Sequence, residues 1–276
     1  MIGRSEGPGT RKSTDRSTPR RTSDLSLDAL VPEAANLVVI SPHLDDAVLS
    51  CGDLLRRRPG AVVITAFAGR PDQYPELTSW DARAGFEAGA DVVGARREED
   101  RAALAVLGAR PHWLGFPDPQ YGTKPERREL ADALAAALDE LEPEILVLPL
   151  GMFHDDHRLT ADAALDALRH RPDLTLLAYA DAIYRRVPDL VEERLAALRA
   201  AGLDLQALAV PQRPAGPEKR RAVACYRSQV RALERSWDGG ASDAFEPEQF
   251  WLLTEAASGA ESSARRGTGR GHDGGA

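Results

Sequence analysis

Two rhythms of apolar residues alternate along the chain between about residues 35 and 257. Short runs at Leu37–Ile40, Ala61–Phe67, His112–Leu114, Ile145–Leu148 and Leu174–Leu177 predict strands. Between them apolar residues recur at helical spacing. Ala47–Leu55 predicts a helix, as does Arg96–Leu107, which Gly108 closes as a C-cap. Leu130, Leu134, Leu138 and Leu141 form one stripe; Ala161, Ala164, Leu165 and Leu168 form another. A last helical stretch runs from about Glu218 to Leu233, and Phe250–Leu253 adds a strand. Continuously apolar strands are covered on both faces. Their alternation with amphipathic helices predicts an α/β, Rossmann-like fold, with a mostly parallel central sheet and helices on both faces.

The two ends lack this pattern. Residues 1–34 are rich in Arg, Ser, Thr, Gly and Pro and predict a disordered basic tail. Residues 258–276 predict a second disordered tail, leaving one domain at 35–257. Net charge over the 276 residues is −8, which argues against a general polyanion binder and hence against a nucleic-acid partner. Cys51 and Cys225 are the two cysteines, too few for a disulfide scaffold or a Cys-rich zinc module. The longest apolar stretch, Ile145–Phe153, is broken by Pro149 and Gly151 and is far short of a membrane helix. The pair Arg20-Arg21 precedes no apolar segment, so no export signal is expected. A cytoplasmic protein without a membrane partner is the expectation; the oligomeric state stays open.

In open α/β sheets, ligands bind beyond the carboxyl ends of the strands. The loop after the first strand is Ser41-Pro-His-Leu-Asp-Asp46; that after the fourth is Pro149-Leu-Gly-Met-Phe-His-Asp-Asp-His157. Together they hold three of the six histidines and four aspartates, on one edge of the expected sheet. His43, Asp46 and His157 make a His, Asp, His set with an open fourth position, as in zinc hydrolytic sites. A metal so held activates water at neutral pH. Asp45, beside that set, suits a general base. His154 suits either a hydrogen bond to a developing oxyanion or protonation of a leaving amine. His112, His170 and His272 read as structural or solvated.

SPHLDDAVLSCG (41–52) resembles the Pro-His-Pro-Asp-Asp-Glu loop of the PIG-L/LmbE-like deacetylases. HDDHRLTADAAL (154–165) resembles their second histidine loop and the helix after it. RREEDRAALAVLGA, LGFPD and KRRAVACYRSQ match further stretches, so the resemblance covers roughly residues 36–254. It implies a single zinc ion per chain on His43, Asp46 and His157, with Asp45 as base and His154 as oxyanion partner or acid. It further implies sugar-hydroxyl contacts by Arg96 and Asp118, with Arg97 an equal candidate for Arg96. Leu44 stands where the family has proline, and Ala47 where it has glutamate. The implied activity is removal of an N-acyl group from an N-acetylglucosaminyl conjugate, with a glycosylated natural product such as a glycopeptide-antibiotic intermediate preferred over a thiol-cofactor precursor. The polar loop Gly69–Trp80 is a candidate lid or acceptor contact. Two rivals remain. A metal-dependent phosphoesterase would recruit Asp155 and Asp156 for a second metal. A non-catalytic sugar-binding protein would show no turnover.

Overall fold

The computed structural model describes residues 25–256, apart from Pro75, Arg169, His170, Pro172 and Trp237. The expectations for residues 1–24 and 257–276, and for His170 and His272, lie outside the described residues. The strands are β1 (Leu37–Ser41), β2 (Val62–Thr65), β3 (Arg110–Trp113), β4 (Ile145–Pro149), β5 (Thr175–Tyr179), β6 (Leu203–Ala207) and β7 (Phe250–Glu255). They form one sheet in the order β3-β2-β1-β4-β5-β7-β6. β1 to β5 are parallel, in registers such as Val38 with Val62 and Leu37 with Ile145. β7 runs antiparallel between β5 and β6. Every residue of β1, β2 and β4 is buried, as continuous apolar strands require.

The helices are α1 (Leu27–Leu30), α2 (Asp46–Arg56), α3 (Ser79–Ala84), α4 (Val92–Leu107), α5 (Arg127–Leu141), α6 (Asp155–Ala167), α7 (Leu190–Ala200), α8 (Pro217–Val223) and α9 (Arg227–Ser236). Strand order runs one way from β1 to β3 and the other way from β4 to β5. Right-handed crossovers then put the intervening helices on opposite faces. Accordingly α2, α4 and α8 pack together, and α5 packs on α6. The switch in direction falls between β1 and β4, the place where open α/β sheets form their ligand crevice. No helix among the described residues is long and apolar enough to cross a membrane.

Several expected boundaries move. Residues 25–34, assigned by composition to the tail, belong to the fold: Ser26 caps α1, and Leu27 and Val31 are buried in the core. Arg58 donates to the Val31 carbonyl and holds that segment down. The expected helix over Glu218–Leu233 is two helices, α8 and α9, parted where Tyr226 turns inward to donate to Asp100 (2.7 Å). The loop Gly69–Trp80 is tied down. Gly69 N–H donates to Phe116 (2.8 Å), Tyr74 to Asp91 (3.1 Å) and Thr78 to Gln120 (2.8 Å), and its last two residues begin α3.

α2 is kinked at Cys51, whose φ and ψ of −127° and 15° leave the helical region. The second half restarts under Glu248, whose carboxylate accepts the N–H groups of Asp53 (2.7 Å) and Leu54 (3.1 Å). Lys219, buried, pairs with that carboxylate at 2.7 Å. The kink lets the first half of α2 aim its N-terminus, with Asp45 and Asp46, into the crevice.

Candidate metal centre and active site

Four loops leave the carboxyl edge around the crevice. After β1, Ser41 Oγ donates to the His43 carbonyl (2.6 Å) and accepts the Ala47 N–H (3.0 Å), folding the loop back on the start of α2. Asp45 is the N-cap residue of α2 and Asp46 its first helical residue. After β4, Gly151 turns at φ 80°, where a Cβ would meet the His157 carbonyl at 2.9 Å. His154 is the N-cap residue of α6, and His157 lies one turn in.

The imidazoles of His43 and His157 come together at a centroid distance of 5.2 Å. His43 Nδ1 lies 3.2 Å, and His157 Nε2 3.3 Å, from the same oxygen, Asp46 Oδ2. The outer nitrogen of each ring faces a carboxylate: His43 Nε2 lies 2.9 Å from Asp156 Oδ2, and His157 Nδ1 2.6 Å from Asp181 Oδ1. A carboxylate on the outer nitrogen fixes the tautomer, so each ring turns a lone pair inward, as metal-binding histidines do. The donor set of His43, Asp46 and His157, with all three ligand atoms within 4.8 Å of one another, fits a metal ion.

Charge follows the same geometry. Burial opposes ionisation of Asp46, but His157 and His43 outweigh it and hold its pKa down to about 2. Burial disfavours a charge on His43 and His157. The carboxylates of Asp156 and Asp46 raise His43, and those of Asp46 and Asp181 raise His157. Burial and the neighbouring Asp46 carboxylate push Asp45 up to about 6. His154 is lowered by burial and by His157, which keeps it neutral at pH 7.

Asp118 also reaches the crevice. Its donor atoms, with those of His43 and Asp156, form a second set within 4.8 Å, and its carboxylate accepts from Gln120 N (3.0 Å) and Nε2 (2.8 Å). Both sets share His43. Arg96 is placed differently. Its guanidinium is buried, donating to Asp81 (2.7 Å) and Tyr121 (3.0 Å), and it stabilises negative charge on Asp45 from within the protein. Arg97 donates to the Ala68 carbonyl (2.8 Å) and stacks over Trp113. Of the carboxylates a two-metal phosphoesterase would recruit, Asp156 belongs to the second set through its contact with His43, and Asp155 points to solvent beside Lys124.

Sequence reasoning passed over Asp181. This carboxylate is 1% exposed and accepts from His157 and from the backbone N–H groups of Gly151 and Met152, both at 3.2 Å. It ties the β5 loop to the β4 loop, and the adjacent Ala182 N–H donates to Ser50 of α2 (3.0 Å). The signal was present: an aspartate just beyond an apolar strand on the ligand-binding edge.

The chain is similar to several known proteins. The family model described as GlcNAc-PI de-N-acetylase, PIG-L, matches residues 38–168, which include both histidine loops. A 2'-N-acetylparomamine deacetylase from Streptomyces fradiae is 27% identical over 239 residues, 75% of this chain and 82% of that protein. The crystal structure of a triple mutant of a deacetylase of the teicoplanin biosynthetic pathway superposes with a TM-score of 0.65 at 28% identity, over 80% of this chain and 99% of that one. The zinc-inhibited form of teicoplanin deacetylase gives 0.60 at 25% identity over 80% and 99%. With both histidine loops inside the matched stretch, residues 38–168 are similar to the PIG-L de-N-acetylase domain, and the chain as a whole is similar to deacetylases of antibiotic biosynthesis.

Proposed function

We propose that this enzyme hydrolyses the N-acyl amide of an N-acetylglucosaminyl conjugate, a glycosylated natural product of the glycopeptide-antibiotic type, using one zinc ion per chain. The observation that carries the reading is the convergence of His43 Nδ1 and His157 Nε2 on Asp46 Oδ2, each ring backed by its own carboxylate. His43, Asp46 and His157 would hold the ion, which as a Lewis acid polarises the amide carbonyl and makes water a better nucleophile. Asp45 takes a proton from the attacking water. Its pKa of about 6 keeps it ionised at neutral pH yet basic enough to accept that proton. His154, kept neutral, donates an N–H to the carbonyl oxygen as negative charge builds there. That favours the oxyanion role over the acid role. The proton held by Asp45 then passes to the departing nitrogen as the C–N bond breaks, giving a free amine and a carboxylic acid. Asp118 is proposed to bind a sugar hydroxyl, and Arg96 to stabilise the Asp45 carboxylate from beneath.

A panel of N-acetylglucosaminyl conjugates, followed for acetate and free amine, tests the reading. Stoichiometric release of both, abolished in Asp45→Ala, is the expected result. Release of phosphate from a phosphoester panel without amide hydrolysis would contradict it.

A further inference from the structure

Among the described residues the exposed large apolar side chains are Leu77 and Phe153, at 38% and 44%. Both stand in loops that leave the carboxyl edge of the sheet, after β2 and β4, the two neighbours of β1. Phe153 has a second oddity: its φ is 65°, in the left-handed region. A bulky aromatic residue is strained there, and glycine would make the same turn without strain. The ring lies nearly parallel to Tyr184, with centroids 5.0 Å apart and planes at 17°, and meets the His154 ring edge-on at 5.0 Å. Tyr184 also touches His154 at 5.4 Å and His157 at 5.2 Å. A continuous wall of rings therefore runs from His157 in the donor cluster, through Tyr184, to solvent at Phe153.

The inner end of that wall carries the groups assigned above to the reacting amide. The outer end is an aromatic ring held at the mouth of the crevice against its own backbone preference. Strain retained beside an active site is a mark of function. We propose that Phe153 is a specificity-determining residue that stacks an apolar group of the substrate, contributed by either the aglycone or the acyl chain. Tyr184 backs the ring and sets its plane; the substrate's apolar group covers the exposed remainder. This rests on the deacetylase reading, because that reading places the amide at the inner end.

The test compares wild type, Phe153→Ala and Phe153→Gly, all zinc-loaded. Substrates are methyl N-acetylglucosaminide, phenyl N-acetylglucosaminide and methyl N-octanoylglucosaminide. Burying an aromatic contact of this kind corresponds to about a tenfold preference. In wild type the phenyl or the octanoyl substrate should exceed the methyl N-acetyl compound in kcat/KM by about tenfold. In both variants that ratio should fall to near one. Loss on the phenyl substrate assigns the group to the aglycone, loss on the octanoyl substrate to the acyl chain. Thermal melting separates a structural role, since Phe153→Gly removes the backbone strain and should melt no lower than wild type. Equal losses on all three substrates, or a wild type with no preference, overturns the proposal. Calorimetric titration with phenyl and methyl glucosaminide, the free amines, keeps the two readings apart. A phenyl preference in binding that Phe153→Ala removes upholds the stacking role even if no amide is hydrolysed. Equal binding of the two excludes the aglycone, and together with no octanoyl preference in wild type it overturns the proposal even if the deacetylase reading stands.

Discussion

Replacing Asp181 with asparagine should weaken metal binding without unfolding the protein. Three donors point at this carboxylate: His157 Nδ1 at 2.6 Å, and the N–H groups of Gly151 and Met152 at 3.2 Å. An asparagine of the same size offers one oxygen and one NH2. In either orientation the NH2 meets a donor in a position only 1% exposed. Relief comes most simply if His157 gives up its Nδ1 proton and carries it on Nε2, the nitrogen that faces Asp46. That tautomer cannot bind a metal through Nε2. Loss of such an outer partner typically lowers metal affinity about 10- to 100-fold, or roughly 1.4–2.7 kcal/mol. One unsatisfied buried polar group costs about 1–3 kcal/mol of folding stability. Zinc affinity is measured by chelator competition on wild type and Asp181→Asn, and stability by denaturant unfolding of both metal-free proteins. Zinc binding by the folded variant within about threefold of wild type would refute this role of Asp181.

Other consequences follow from the same geometry. If Asp45 is the base, kcat rises with pH as its carboxylate ionises, with an acid limb near pH 6 or lower, because a bound cation can only depress its pKa further; a limb that persists unchanged in Asp45→Asn would exclude the assignment. Gly52→Ala should cost about 1–3 kcal/mol in denaturant unfolding, because a Cβ there would lie 2.7 Å from Lys219 Cγ at the kink of α2; an unchanged midpoint would mean the buried Lys219–Glu248 pair yields easily. Burial pushes Asp100 up to about 7, although Trp113 and Tyr226 donate to it. A carboxyl whose folded pKa lies above its unfolded value near 4 binds more protons when folded, so its contribution to stability is largest at low pH and is lost between about pH 4 and 7. Asp100→Asn should flatten that part of the stability–pH curve; an unaltered slope would show that Asp100 ionises freely.

The strands β1, β2 and β4 were legible because burial on both faces leaves an uninterrupted apolar run, and β5, part-buried at Thr175 and Leu176, still keeps an apolar run. β6, Leu-Asp-Leu-Gln-Ala, was not: it is the edge strand and alternates apolar with polar. α7 carries only Leu195 and Leu198 buried and shows no strong stripe. The break between α8 and α9 has neither Gly nor Pro to announce it. At the break Tyr226 donates to Asp100, a contact 126 residues apart. Leu27 and Val31 are isolated apolar residues in a polar stretch, so composition hid their place in the core. In the site, His43, Asp45, Asp46, His154 and His157 were legible because each follows a readable strand by a few residues. Asp181 carries the same signal, but an expected end of the fifth strand at Leu177 hides it, since the strand runs on to Tyr179. Arg96 was legible as a residue of interest, but its burial against Asp81 and Tyr121 depends on the α3 and β3 loops, which carried no sequence signal for such a contact.

The central claim is that His43, Asp46 and His157 form one metal centre. Zinc per chain, measured by mass spectrometry on wild type and His157→Ala prepared side by side, tests it most directly. One zinc in wild type and little in the folded variant is the predicted result. Equal zinc in both, or none in a folded wild type supplied with zinc, would contradict it.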